Sequence, residues 1–560
     1  MNKILLFLTC IPLGLSLSAQ VLDNITIGLE SNTVWYNDDS ETGDFFDNAN
    51  NDGDKHIRSN NYLKIDYNFL ESFTASVQIE SYEPFALLNY SKSYEGTNLG
   101  TYSLNYRDSK LNITAGHFYS QFGSGLILRN WEDRQLGINN SLQGGKVVYE
   151  PADFVSLTAL YGKQRVGFKI SDGEVFGFNS ELDAGALLDF RETSLGIGLS
   201  YVGRKEDTPF VDPTFDELTN LFSGRVDFYQ NKFYSNIEYV LKSEDAIKQG
   251  GQLSNRFVTG GSAILFNTGY SKSGFGIDAT FRRLENMNFF SERNAAGNVF
   301  NESSINYIPG LTKQHDYLLT NIFVYQAQST VNLDTSQSGE IGGQLDLFYK
   351  IKKETLLGGK YGTKIALNAS YWAGLSGDYI QDNPDAGTLP SYEVELFGFG
   401  GKYFSDFSLE IRKKWSPKWR SILYFVNQSY NKKIVEGSGA MITSNIGVIE
   451  STHKLGNGKS IRFEAQKLNS DSAKHDWTGG TIEYNLNSKF SVYVNDIYNN
   501  GSDSDTEKTH FFNVGGSYTK GATRLGLNYG RQRAGLLCVG GVCRFVAEAT
   551  GLTANITMSL

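Results

Sequence analysis

The sequence predicts an all-β fold, a large transmembrane antiparallel β-barrel of about 22–26 strands (best count about 24) with some loops folded inward. Three observations predict it. The stretch Gly551 to Leu560 alternates without a break, with Leu552, Ala554, Ile556, Met558 and Leu560 on one side and Thr553, Asn555, Thr557 and Ser559 on the other. That period of two is a strand. Similar alternations recur along the chain, joined in turn by very short turns and by long polar segments, as in a barrel with short periplasmic turns and long outer loops. Beyond the first twenty residues no apolar run is long enough for a membrane helix. If the chain is in a membrane, it crosses as a barrel.

Met1-Asn2-Lys3, the apolar run Ile4 to Leu17 and the small residues Ser16, Ser18 and Ala19 read as a secretory signal peptide over residues 1–19. Cys10 lies inside that run, without the small neighbours of a lipid-attachment site. Residues 20–560 then form a single outer-membrane barrel domain. The 59 Gly, 32 Tyr and 37 Phe of the full 560-residue chain, against 9 Pro, suit strands and turns. A formal net charge of −10 argues against a nucleic-acid partner, which would need a basic face.

The first strand is expected around Ile25, Ile27 and Leu29. Leu195, Ile197, Leu199 and Tyr201 alternate with Ser194, Gly196, Gly198 and Ser200, and Phe233, Ile237, Tyr239 and Leu241 with Tyr234, Asn236 and Glu238. Ile365, Leu367, Ala369 and Tyr371 oppose Lys364, Asn368 and Ser370, while Ile461, Phe463 and Ala465 oppose Arg462, Glu464 and Gln466. In a soluble sandwich the apolar row would be the core; in a barrel it meets lipid and the polar row meets interior water. Loop lengths separate the two. Leu70-Glu71-Ser72, Ser109-Lys110, Gln230-Asn231-Lys232, Gly456-Asn457-Gly458 and Gly521-Ala522-Thr523 are short turns, whereas 37–57, 84–99, 203–219, 243–256, 285–315, 376–390 and 500–508 are long and polar. Trp415 and Trp419 bracket one short turn, as an interfacial aromatic girdle would. The final strand, Gly551 to Leu560, is expected to close against the first and to be the part read by barrel-assembly machinery.

A barrel this wide has an open lumen unless something fills it. Two segments, 117–137 and 289–339, mix apolar and charged residues as an inward-folded loop would. In the first, Arg129, Glu132, Asp133 and Arg134 are lumen candidates, joined by Arg462 and Glu464 from a strand. Opposed charges there could set a transverse field on passing solutes; the other reading is a network of ion pairs that staples the loop to the wall.

Cys538-Val539-Gly540-Gly541-Val542-Cys543 places Gly-Gly at the tip of a two-residue hairpin, with Cys538 and Cys543 as a closely spaced non-hydrogen-bonded pair. A disulfide is expected, reduced thiols or a metal pair being the alternatives. Catalytic chemistry is thin. No Ser has Gly two residues before and two after, and the six histidines lack metal-ligand spacing to one another. Asn48 to Asp54 starts like a calcium loop, but its twelfth position is Ser59 in place of Glu. The sequence thus calls for no cofactor, metal or enzyme activity.

The segment from Gln121-Phe122-Gly123-Ser124-Gly125-Leu126 to Arg134, with Leu311-Thr312-Lys313-Gln314-His315 and Leu357-Gly358-Gly359-Lys360-Tyr361-Gly362, resembles an uncharacterised family of outer-membrane barrel proteins from Bacteroidota. The resemblance implies the cell outer membrane and a barrel fold, and carries no activity with it. More loosely it implies a membrane that holds large machines for carbohydrate import, secretion and barrel assembly. The expected function is therefore a non-enzymatic porin-like barrel in contact with outer-membrane lipid. The alternative is an accessory or structural subunit of a larger outer-membrane secretion or uptake assembly, with other outer-membrane proteins as partners.

Overall fold

A computed structural model describes residues 24–42, 56–88, 92–207, 216–249, 252–295, 298, 302–313, 317–472, 475–502, 508–539 and 542–560. The signal peptide and the calcium-loop-like stretch 48–54 lie outside the described residues. The described chain folds into one antiparallel sheet of 24 strands. Each strand pairs with its neighbours in sequence, and the sheet closes on itself. Ile25–Asn37 pairs with Ile57–Phe69 on one edge and with Ala549–Ser559 on the other, from Gly28 against Ser559 to Asn37 against Thr550. Closure leaves no edge carrying unpaired backbone groups, which is what lets a sheet stand in lipid.

The alternation read from the sequence sorts the two faces. Leu199, Ile237, Tyr239, Phe407, Leu423, Phe425 and Phe463 are exposed on the outer surface, while Ser200, Glu238, Asn368, Ser370 and Gln466 are buried inside. An apolar outer band over a polar interior inverts a soluble protein and matches a bilayer as solvent. Trp415 and Trp419 stack 5.3 Å apart on the outer surface, and their ring N–H groups donate to Ser421 and Ser451. An apolar ring with a polar tip suits the bilayer boundary.

Short turns gather at one end. Gly456 pairs with Lys459 across Asn457 and Gly458, whose φ of +50° and +76° form the tight two-residue turn that matches strand twist. Two connections at that end are longer: 184–192, with a one-turn helix Ala184–Leu187 capped by Asp183, and 352–362.

The expected loops 243–256 and 376–390 need correction. Phe233–Gln249 runs 17 residues and Gln252–Lys272 runs 21, paired out to Gln249 against Gln252. Thr363–Ile380 and Ser391–Lys414, of 18 and 24 residues, do the same. About ten residues suffice to cross a bilayer, so these hairpins project beyond it. Beyond the bilayer no outward row has to be apolar, and Ser243 to Gln249 shows no alternation. The hairpins close on each other: Ile247, Phe257, Val331 and Leu333 form a small core against Tyr379 and Tyr392, and Arg256 pairs with Asp382 at 3.2 Å.

Candidate functional site

After the strand Leu111–Phe118 the chain turns into the lumen. Phe122, Leu126, Ile127 and Leu128 are at most 1% exposed, packed on Leu160, Val175, Val202, Leu221 and Val240. Those five lie on five consecutive strands, facing inward, so the interior wall carries an apolar shelf where a water-filled pore would be polar. The entry turn requires glycine: Gly123 has φ +53°, and a Cβ there would sit 2.5 Å from Arg225 Cδ.

Described residues of the segment 286–339 pack against the wall as well. Tyr317, Leu319, Phe323 and Tyr325 pack on another arc of the wall, against Trp372, Phe404, Tyr424, Tyr430, Ile446 and Leu468. Tyr325 stacks on Phe404 at 5.1 Å. The two segments also hold each other. The Arg129 amide donates to the Ile305 carbonyl at 2.8 Å, the Tyr307 amide donates to the Gly125 carbonyl at 3.0 Å, and Asn306 Nδ2 donates to the Leu126 and Met287 carbonyls.

Wall carboxylates and amides meet the polar groups that this filling buries. Glu238 accepts from the Ser124 amide at 3.0 Å, and Gln466 accepts from the Leu319 amide at 2.9 Å. Glu340, paired with Arg282, accepts from the Gln328 amide at 2.8 Å and the Tyr325 hydroxyl at 2.5 Å. Burial first, and then the facing Glu340 carboxylate, push the Tyr325 hydroxyl well above its usual pKa, so it stays a donor. Glu80 and Arg165 form a fully buried pair at 2.5 Å beneath the first segment, and Gln78 donates to both Glu80 and Glu132.

The six expected lumen residues all face inward or lie in the filling, but they do not form one field. Arg134 reaches Glu30 at 2.9 Å and Gln78 at 2.9 Å on the wall, and Glu132 at 3.3 Å within its own segment. Burial works against its charge, yet Glu132 and Glu30 raise its pKa. Arg129 instead lies over the rings of Tyr307 and Trp131, 3.9 and 4.9 Å from their centroids. Asp133 accepts from the Leu136 amide and shapes a turn. Arg462 meets Glu464, Glu483 and Glu450 at 2.6, 3.2 and 3.4 Å, and Glu464 accepts from Gln466, the residue that holds Leu319. Anchors such as Glu80, Arg165, Arg282 and Glu340 were not singled out from sequence, although each is a charge on an inward position of a strand; Glu238 was placed on a polar row but not read as an anchor. Cys538 and Cys543 are register partners in a hairpin whose tip, 540–541, lies outside the described residues.

A family model described as "Family of unknown function (DUF6029)" matches residues 1–560. The chain belongs to that family. No curated protein matches the DUF6029 chain. Among solved structures, the siderophore receptor PirA from Pseudomonas aeruginosa is similar over 96% of this chain and 80% of that one, at 7% identity and TM-score 0.42. A BenF-like porin from Pseudomonas fluorescens Pf-5 is similar over 96% and 97%, at 7% identity and TM-score 0.36. The P pilus usher (PapC) translocation pore is similar over 96% and 99%, at 8% identity and TM-score 0.36. At these scores the fold assignment rests on the strand pairing of this chain itself.

Proposed function

We propose that this DUF6029 protein is a non-enzymatic, porin-like barrel of the outer membrane of a Bacteroidota cell, whose passage is gated by its own inward-folded segments. The observation that carries the reading is the pair of buried cores between segment and wall, one on each of two arcs of the lumen. A freely open pore would keep those inward positions polar. The same carboxylates that tie the segments down would release them stepwise if a solute or partner competed for the bonds. In this reading Arg134 and Glu132 are staples and not a selectivity ring, Gly551 to Leu560 is the strand offered to barrel-assembly machinery, and Cys538–Cys543 is a disulfide. Resistance of those two thiols to alkylation until a reductant is added checks the last point.

Planar-bilayer recording tests the gate. The wild-type protein should show no large steady conductance, and deletion of residues 120–135 should give steady openings. Large ohmic steps from the wild type would make it an open porin, and silence from a folded deletion variant would favour the accessory-subunit reading.

A further inference from the structure

Near the projecting hairpins, away from the staples, a cavity of about 510 Å³ is lined by Arg204, Lys242, Asp245, Asn288, Phe290 and Arg293 among others. Its volume falls within the range of small-molecule sites. Its exposed lining residues Thr330 and Asn332 give it an opening. Three cations meet here, each at most 5% exposed. Arg204 and Arg293 share two carboxylates: Asp245 lies 3.0 and 2.6 Å away, and Glu206 lies 3.4 and 3.7 Å away. Lys242 has neither. Its ammonium donates to the Asn288 carbonyl at 3.0 Å, using one of three N–H groups, and no described carboxylate comes within ion-pair distance. Arg204 Nε is likewise buried without a partner.

Three buried cations against these two carboxylates leave one positive charge uncompensated, a costly arrangement, and Lys242 is held at the wall of a solvent-connected cavity. We propose that this cavity binds a small hydroxylated solute through one carboxylate, with Lys242 Nζ as its counter-ion. Asn288 and Asn332 line the same cavity and offer amide N–H groups to hydroxyl oxygens, and Phe290 offers a flat apolar face. The proposal does not depend on the gated-channel reading, because binding needs no current.

Calorimetric titration of the full chain in detergent tests it, with glucuronate as probe and glucose as its uncharged counterpart. Glucuronate should bind at least about tenfold more tightly than glucose, a difference of one counter-ion contact. Lys242→Met should bring the two to parity. Asn332→Asp, at the exposed opening, should weaken glucuronate without touching a buried group, and it decides the matter if the Lys242 variant fails to fold. Equal affinity for glucose and glucuronate in the wild type would overturn the proposal, as would undiminished glucuronate binding in the folded variants.

Discussion

Phe463 and Arg462 are adjacent in sequence and face different solvents, and alternation alone reveals that much. Phe463→Arg puts a guanidinium against lipid and should cost about 2–4 kcal/mol if the site is near the bilayer midplane, read as a loss of stability to denaturant in vesicles. Arg462→Ser looks mild from sequence, as one polar inward residue for another. The register changes that expectation, because Arg462 is the cation for Glu450 on one neighbouring strand and Glu483 on the other, besides Glu464 on its own. Its removal leaves buried carboxylates facing each other, at about 1–2 kcal/mol once the partial exposure of Arg462 is discounted. Equal stability of the wild type and Arg462→Ser would show that the cluster is solvated in practice. Asp39 was not legible at all. It lies just past the first strand, and it binds Arg531 at 2.7 Å and Thr550 at 2.5 Å, holding the outer end of the closing seam. Burial opposes its charge, but the hydrogen bonds from Thr550, the Glu41 amide and Arg531 leave its pKa below the ordinary 3.8. A carboxyl with a lowered folded pKa stabilises the fold above its unfolded pKa, and that contribution is lost as pH falls from 3.8 through the lower folded value. The wild type should therefore lose more stability than Asp39→Asn between pH 7 and about pH 3; parallel losses would count against the clamp.

At the scale of elements, the inward segments were legible because their composition suits neither water nor lipid. Leu126, Ile127 and Leu128 would be a liability on an open loop, and the charges from Arg129 to Arg134 would be costly against lipid. The sequence could not show that the wall answers with an apolar shelf, since Val175, Val202, Leu221 and Val240 come one per strand and interrupt an otherwise polar row. The projecting end of Phe233–Gln249 was missed for the opposite reason, because Ser243 to Gln249 carries no periodic signal. Gly123→Val tests how the first segment is held. A branched side chain at φ +53° meets Arg225 and cannot keep the turn, so the segment should come loose while the strands stay closed. Trypsin added to the folded protein should leave Arg129 and Arg134 intact in the wild type and cut there in the variant. Ready cleavage of the wild type at either residue would mean that the segment is not packed in the lumen.

Over the whole molecule, strictly sequential pairing means that a stretch of sequence is an arc of the barrel. Charge that looks merely uneven along the chain is therefore segregated around the mouth. At the short-turn end, Lys350, Lys352, Lys353, Lys364, Lys414 and Lys454 lie on one arc, on or beside neighbouring strands. Asp153, Glu181, Asp183, Asp189, Glu192 and Asp227 lie on another. On the basic arc, Lys350, Lys364, Lys414 and Lys454 are exposed and line a shared recess with Arg412 and Arg420. Exposed charges stabilise little individually, but a run of one sign at the mouth of a low-dielectric tube biases which ions enter. The effect should appear once part of the filling is removed. With residues 120–135 deleted, a salt gradient across a planar bilayer should give one reversal potential. Adding Lys364→Glu, Lys414→Glu and Lys454→Glu should move that potential toward cation selectivity, more so at low ionic strength, where the Debye length reaches about 30 Å at 0.01 M. A reversal potential that the three substitutions leave unmoved at low salt would place the selective part of the path elsewhere, among the charges deeper in the lumen around Arg462 and Glu464.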